Sequence, residues 1–120
     1  MLQEDWFMRQ IKDMINFLIS VILHKKTANY EVSIGQNTPA ADTLYRQLSE
    51  LIEELKINEA ENLLFENINA GSLRYLELAV DFYSRLNDLD DETLEKCGFS
   101  RREIEEGLKD SAKLFGVPVL

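Results

Sequence analysis

The stretch from residue 72 to residue 89 constrains the fold more than any other part of the chain. Placed on an α-helix at about 100° per residue, its apolar side chains cover an arc of about 220°. The arc consists of Leu73, Tyr75, Leu76, Leu78, Ala79, Val80, Phe82, Tyr83 and Leu86. A helix with one neighbour needs an apolar stripe of only about 100°. Residues 72–89 therefore predict a central helix with neighbours on two sides, in an all-α domain.

Size and charge restrict the class of protein. The chain has 120 residues, a net charge of −9 and a single cysteine. This length suits one domain, residues 1–120, with one hydrophobic core. The charge disfavours nucleic acids and anionic membranes as partners, because both require Lys and Arg to neutralise phosphates. The single cysteine excludes an internal disulfide, and we expect a cytoplasmic protein.

The first helix is predicted over residues 4–24, and it also has an apolar arc of about 220°. Its apolar middle, at 14–23, is too short to span a bilayer. Acidic residues precede that middle and no small-residue cleavage site follows it, which disfavours a signal peptide. We therefore expect no stable membrane insertion. We expect the face with Phe7, Ile11, Met14, Leu18 and Ile22 to dock on the central helix and on the hairpin described next.

The remaining segments complete a compact bundle of five to six helices. Residues 27–38 break the helical period and are predicted to be a mobile loop. Residues 39–69 are predicted to form a helical hairpin, whose second helix begins at a capping box of Asn58 and Glu61. Residues 91–115 are predicted to form capping helices, the last of which begins at a second capping box, Ser100 and Glu103.

The hairpin suggests packing similar to that of tetratricopeptide repeats. A shift of about 34 residues, the period of those repeats, aligns Leu48 with Phe82 and Phe65 with Phe99. The same shift aligns apolar residue 64 with glycine 98, which does not fit the pattern. The sequence therefore predicts helical hairpins of this kind and does not predict a peptide-binding repeat array.

Several runs resemble one known family. They are residues 4–15, 58–66, 75–95 and 98–108, which together cover most of the chain outside residues 24–40. These runs are similar to a family of small, acidic, uncharacterised bacterial proteins, mostly from Firmicutes, which is a domain of unknown function. The resemblance implies a bacterial, cytoplasmic and helical protein. It implies no activity, substrate or site.

Three features could carry chemistry, and each has a simpler structural interpretation. Residues 88–92 resemble the start of a calcium loop, but an EF-hand also needs Gly at its sixth position and Glu at its twelfth. Thr93 and Phe99 occupy those positions, so we expect these carboxylates to cap helices. Cys97 has no neighbouring base and is expected to be structural. The aromatic residues 45, 75, 82 and 83 could line a ligand groove, but at helical spacing they favour a core. We therefore predict no catalytic, cofactor or metal site, and no enzyme.

The function predicted from these observations is a protein-interaction or structural module. If the middle of the first helix is buried, Trp6 and Phe17 remain on one flank, and Met8 and Ile19 remain on the other. We predict that these four residues form an interaction surface and that a second copy covers one flank in a two-fold dimer. The alternatives are a different protein partner, a loop at 27–38 that folds back, and a small-molecule sensor or enzyme subunit with a pocket between helices.

Overall fold

Six α-helices make up the regular structure of the computed structural model, which describes residues 2–28 and 39–119. They are α1 (Leu2–Ala28), α2 (Pro39–Glu53), α3 (Ile57–Asn67), α4 (Leu73–Asn87), α5 (Asp91–Lys96) and α6 (Arg101–Leu114). No strand occurs among the described residues. The all-α bundle expected from the sequence is confirmed. The predicted mobile loop falls mainly on residues 29–38, which lie outside the described residues.

The central position of α4 follows from its wide apolar arc. Nine of its fifteen residues are buried, and α1, α2 and α6 all pack against it. Tyr83, Phe82, Leu78 and Leu86 are among the most completely buried large side chains of the protein. One narrow polar strip remains in contact with water, as expected for a helix covered on several sides.

The first helix packs mainly against the central helix α4, as expected, and against α6, which was not expected. Ile11, Met14, Leu18 and Ile22 are buried as expected, whereas Phe7 is only half-buried. The buried face of α6 includes Gly107 and Ser111 besides the apolar Ile104, Leu108 and Ala112. Gly107 lets Tyr83 of α4 approach closely, and α6 packs on both α4 and α1. The helix α1 is also longer than predicted, since it continues to Ala28.

The hairpin of α2 and α3 turns through Leu55, which has a φ of 60°. The Leu55 N–H donates to the Ile52 carbonyl at 2.9 Å, and the Lys56 N–H donates to the Leu51 carbonyl at 2.8 Å. These two bonds are a Schellman motif, in which glycine is the usual left-handed residue. The predicted capping box at Asn58 is wrong, because α3 already begins at Ile57.

Both short connections around α5 and α6 use side-chain caps. Asp90 accepts a bond from the Thr93 N–H at 2.7 Å and so begins α5. Ser100 and Glu103 form the predicted capping box at the start of α6. Arg101 in the next position is buried and donates to the carbonyls of Asn87 and Leu89, at 2.7 Å each. The end of α4 is thereby fixed to the beginning of α6.

Candidate interaction surface

The two long sides of α1 carry exposed apolar residues. One side, the tryptophan edge, consists of Trp6 and Phe17, which are 59% and 47% exposed. The other side, the groove edge, consists of Met8, Ile19 and Leu23. Ile19 is 42% exposed and Leu23 is 59% exposed. In the described part of the chain, four of the seven exposed large apolar side chains therefore lie on this one helix.

Met8 differs from the other three predicted surface residues. Its side chain is half-buried. Its carbonyl accepts a bond from the buried Asn87 amide of α4 at 3.3 Å. This contact fixes α1 against the C-terminal end of α4, so Met8 belongs partly to the bundle and partly to the surface.

An open groove runs beside the groove edge, between α1 and α4. Its volume is about 310 Å³. Ile15, Ile22 and Val80 form its floor, and Ile19 and Leu23 form its wall on α1. The floor and this wall are apolar, so the groove can accept side chains of a binding partner.

Charged residues border the groove on the α4 side. Lys26 forms an ion pair with Glu77, which also accepts a bond from Arg74 at 3.2 Å. One turn further along, Asp81 lies 3.5 Å from Arg85. The groove therefore has an apolar floor and an acidic border whose charges are partly compensated by basic neighbours.

The tryptophan edge has a different neighbourhood. The rings of Trp6 and Phe7 contact each other edge to face, with their centroids 5.2 Å apart. Phe17 borders a shallow depression of about 300 Å³ that Pro118 and Val119 also line. The C-terminal tail thus partly covers this edge, whereas no described segment of the chain lies over the groove.

Leu23 and the border on α4 were missed by the sequence reasoning. The signal for Leu23 was present, because it follows Ile19 by four residues and such residues are neighbours on a helix. Val80 and Glu77 gave no such signal. They belong to the groove only because α4 lies beside α1, and a single helical pattern cannot indicate which helix will be its neighbour.

The other candidate sites have structural roles. Asp90 caps α5, so the capping interpretation of residues 88–92 is confirmed. No cluster of three metal-binding side chains occurs among the described residues. Cys97 is half-buried at the end of α5, and its carbonyl accepts a bond from Asn58 at 3.4 Å. Of the four predicted core aromatics, Tyr75, Phe82 and Tyr83 are buried, whereas Tyr45 is 36% exposed, so the prediction for Tyr45 is wrong.

A polar contact inside the bundle was not predicted. The Tyr83 hydroxyl donates to the Glu61 carboxylate at 2.6 Å. Burial raises the pKa of Glu61. The hydrogen bond from Tyr83 lowers this pKa in part, whereas the nearby carboxylates of Glu103, Asp110 and Glu106 raise it further. Burial and the same carboxylate raise the pKa of Tyr83. Glu61 therefore joins α3 to α4 instead of capping its own helix.

Comparisons with known proteins identify the family. Among the described residues, no helix combines the length and the apolarity that crossing a bilayer requires. A search of curated proteins and a search of solved structures found no match. The bacterial origin and the tetratricopeptide-like pairing therefore stay predictions. The model of the Family of unknown function (DUF6483) matches residues 1–116, and the chain belongs to that family.

Proposed function

We propose that this protein is an interaction module that binds through the exposed sides of α1, and that its partner is a second copy of itself. The observation that carries the proposal is the clustering of exposed apolar side chains on one helix whose opposite face is buried. Exposed apolar side chains concentrated on one element often mark an interaction surface. The exposed apolar side chains span about 26 Å of that helix, at a rise of about 1.5 Å per residue. They are Trp6, Phe17, Ile19 and Leu23.

Charge supports a second copy as the partner. The helix α1 contains four basic and three acidic residues, which give it a net charge of +1 in a chain of net charge −9. Two copies that meet through an acidic surface repel each other, because like charges in contact are destabilising. Two copies that meet through α1 avoid most of this repulsion. A closed two-fold pair is also the commonest arrangement of identical chains.

Light scattering coupled to size-exclusion chromatography tests this proposal. We expect the wild-type protein at about 100 µM, a concentration at which interfaces of micromolar affinity are saturated, to elute with twice the mass of one chain. Phe17→Glu combined with Ile19→Glu places a charge on both sides of α1 and should give a monomer with an unchanged far-UV helix signal.

Leu114→Glu is the matched control, because Leu114 is 48% exposed but lies on α6. This variant should remain a dimer. A wild-type protein that elutes as a monomer would rule out the second copy as partner. A dimer that withstands both substitutions in α1 would place the contact on another surface.

A small molecule in the groove is the second candidate, because its volume lies at the lower end of the range of about 300–1,000 Å³ typical of ligand pockets. Such pockets bury most of their ligand, whereas this groove is open along its side. A protein partner, which covers the groove from outside, therefore suits its shape better. A metabolite that raises the melting temperature of the monomeric double variant would support the ligand instead.

A further inference from the structure

We propose that the second copy binds at the groove edge, with the ridge of each protomer in the groove of the other and the two α1 helices parallel. The ridge is the stripe on α1 formed by Lys12, Asn16, Ile19 and Leu23. This inference rests on the proposed function. It specifies which side of α1 forms the dimer contact and how the two α1 helices are oriented.

The ridge and the groove lie next to each other. The four ridge residues follow one another at intervals of four, three and four, so they form one continuous row on α1. All four are exposed. The groove floor, with Ile15, Ile22 and Val80, runs alongside. Helices pack by placing rows of side chains into grooves, so this surface carries both halves of a self-complementary contact.

The border of the groove on α4 forms a second row. Glu77, Asp81 and Ser84 line the groove, and Asp88 continues their row just beyond it, with the same four, three and four spacing. The helices α1 and α4 run in opposite directions, because Asn87 contacts Met8 at one end and Glu77 contacts Lys26 at the other. Asp88 therefore lies near the level of Arg9 along the long axis of the groove.

The direction of the two-fold axis follows from these charges. An axis across the helices places α1 on α1 and the acidic border on the acidic border, so that carboxylates of the two borders lie opposite each other. An axis along the helices, between ridge and groove, places each ridge in the partner's groove. It also brings the acidic border of one protomer beside the outer side of α1 in the other, where the exposed Arg9 lies between the exposed Asp5 and Asp13. The border then meets a surface of mixed charge instead of a second acidic border, so like-charge repulsion favours this second arrangement.

The tryptophan edge offers no equivalent contact. Its depression is bordered by the chain's own tail at Pro118 and Val119. Trp6 and Phe17 are also eleven residues apart, about 16 Å along the helix, so they do not form a continuous apolar row. Ile19 and Leu23 are one helical turn apart and do form one.

A matched pair of variants tests which side of α1 is used. Ile19 and Phe17 have similar exposure and lie two residues apart on the same helix. Analytical ultracentrifugation should show that Ile19→Glu raises the dissociation constant of the dimer about 30-fold or more, as truncation of a hot-spot residue does. Phe17→Glu should change it less than about threefold.

A charge exchange tests the orientation. Arg9→Glu and Asp88→Arg should each weaken the dimer, and the double variant should restore the wild-type dissociation constant within about threefold. Neither single change should destabilise its helix. Arg9→Glu places a negative charge in the N-terminal part of α1, and Asp88→Arg places a positive charge at the C-terminal end of α4, and both charges are favourable in the field of the helix dipole. Far-UV circular dichroism of each single variant should therefore match that of the wild type.

The outcomes separate this inference from the proposed function. Loss of the dimer in Phe17→Glu but not in Ile19→Glu would overturn the groove edge and leave self-association through α1 in place. Loss in both would also overturn it, since the contact would then extend across both sides of the helix. A double charge variant no tighter than the single variants would overturn the parallel orientation. A monomeric wild-type protein would overturn the proposed dimer itself.

Discussion

At the scale of single residues, Gly107 of α6 and Tyr83 of α4 pack closely in the core. A Cβ atom added to Gly107 would overlap the hydroxyl end of the Tyr83 ring. Glycine within a helix costs about 1 kcal/mol relative to alanine. The close approach offsets that cost, because it allows the Tyr83 hydroxyl to form a hydrogen bond with Glu61 on a third helix, α3.

Replacing this glycine tests the packing directly. Gly107→Ala should lower the free energy of unfolding by about 1–3 kcal/mol in urea, since overpacking a core forces side chains out of place. The neighbouring exposed position supplies the control, and Glu106→Ala should change stability by no more than about 0.5 kcal/mol. A stabilised Gly107→Ala protein would show that helix propensity outweighs the contact with Tyr83.

The half-buried carboxylate of Glu61 predicts a pH dependence. The folded protein raises the pKa of Glu61 above its ordinary value of 4.5, so folding favours the protonated form. The stability that this group contributes is present below about pH 4.5 and is lost as the pH rises through the raised pKa. Glu61→Gln keeps an acceptor for the Tyr83 hydroxyl and removes the ionisation. We therefore expect urea midpoints measured from pH 4.5 to pH 7.5 to fall less with pH in this variant than in the wild type.

The control for that measurement is Glu66→Gln, which removes an exposed carboxylate from the same helix. Its pH profile should run parallel to that of the wild type. Equal slopes for the wild type and Glu61→Gln would show that the Tyr83–Glu61 contact does not couple folding to protonation.

At the scale of helices, the junction of α4, α5 and α6 depends on one guanidinium group. The Arg101 side chain is only 3% exposed and approaches Asp91 at 3.0 Å. It also donates to the carbonyl of Asn87, the last residue of α4, to the carbonyl of Leu89 just beyond that helix, and to the Asn87 amide oxygen, the last at 3.2 Å. The last carbonyls of a helix lack partners within that helix, so Arg101 supplies the donors that α4 needs.

Loss of this group should be costly. Arg101→Ala should lower the free energy of unfolding by about 3 kcal/mol, since hydrogen bonds to charged groups contribute about 1.5–3 kcal/mol and buried carbonyls would lose their donors. Arg102→Ala is the matched control, because Arg102 is the next residue and is exposed. It should cost less than about 0.5 kcal/mol in the same urea titration. Equal effects of the two variants would contradict the role assigned to Arg101.

At the scale of the whole molecule, shape explains why α1 remains partly uncovered. The Cα atoms extend over 45 × 28 × 17 Å. Helices pack with their axes about 8–10 Å apart, so the shortest dimension has room for about two layers of helices. The helix α1, about 40 Å long, runs nearly the full length of this thin body. Its neighbours α4 and α6 cover its inner face, and both sides of the helix remain at the surface.

A dimer formed through α1 predicts that thermal stability depends on concentration. Association of folded chains stabilises them by mass action. The melting temperature of the wild-type protein should therefore rise by several degrees between about 1 µM and 300 µM, since about 1 kcal/mol shifts the melting temperature of a domain of this size by about 4 °C. The same measurement on the double variant Phe17→Glu, Ile19→Glu, which is expected to be a monomer, should give one melting temperature at both concentrations. A wild-type melting temperature that is independent of concentration would contradict the dimer.

The sequence by itself determined those features that depend on neighbours along the chain. The wide apolar arc of residues 72–89 identified the central helix, because burial on several sides requires apolar residues around most of a helix. The capping box of Ser100 and Glu103 identified the start of α6, since its bonds span only three residues. The exposed Trp6, Phe17 and Ile19 were also found, because the arc of α1 is wider than one packing face.

Only the tertiary structure decided which helices meet. The packing of α6 against α4 depends on Gly107 and on the close approach of Tyr83 that it permits. A glycine in a helical pattern does not reveal what approaches it. Glu61 had the spacing of a capping residue, yet it bonds to Tyr83, which is 22 residues away in sequence. The groove combines Ile19 with Val80 and Glu77, and such a surface exists only where two helices from distant parts of the chain lie side by side.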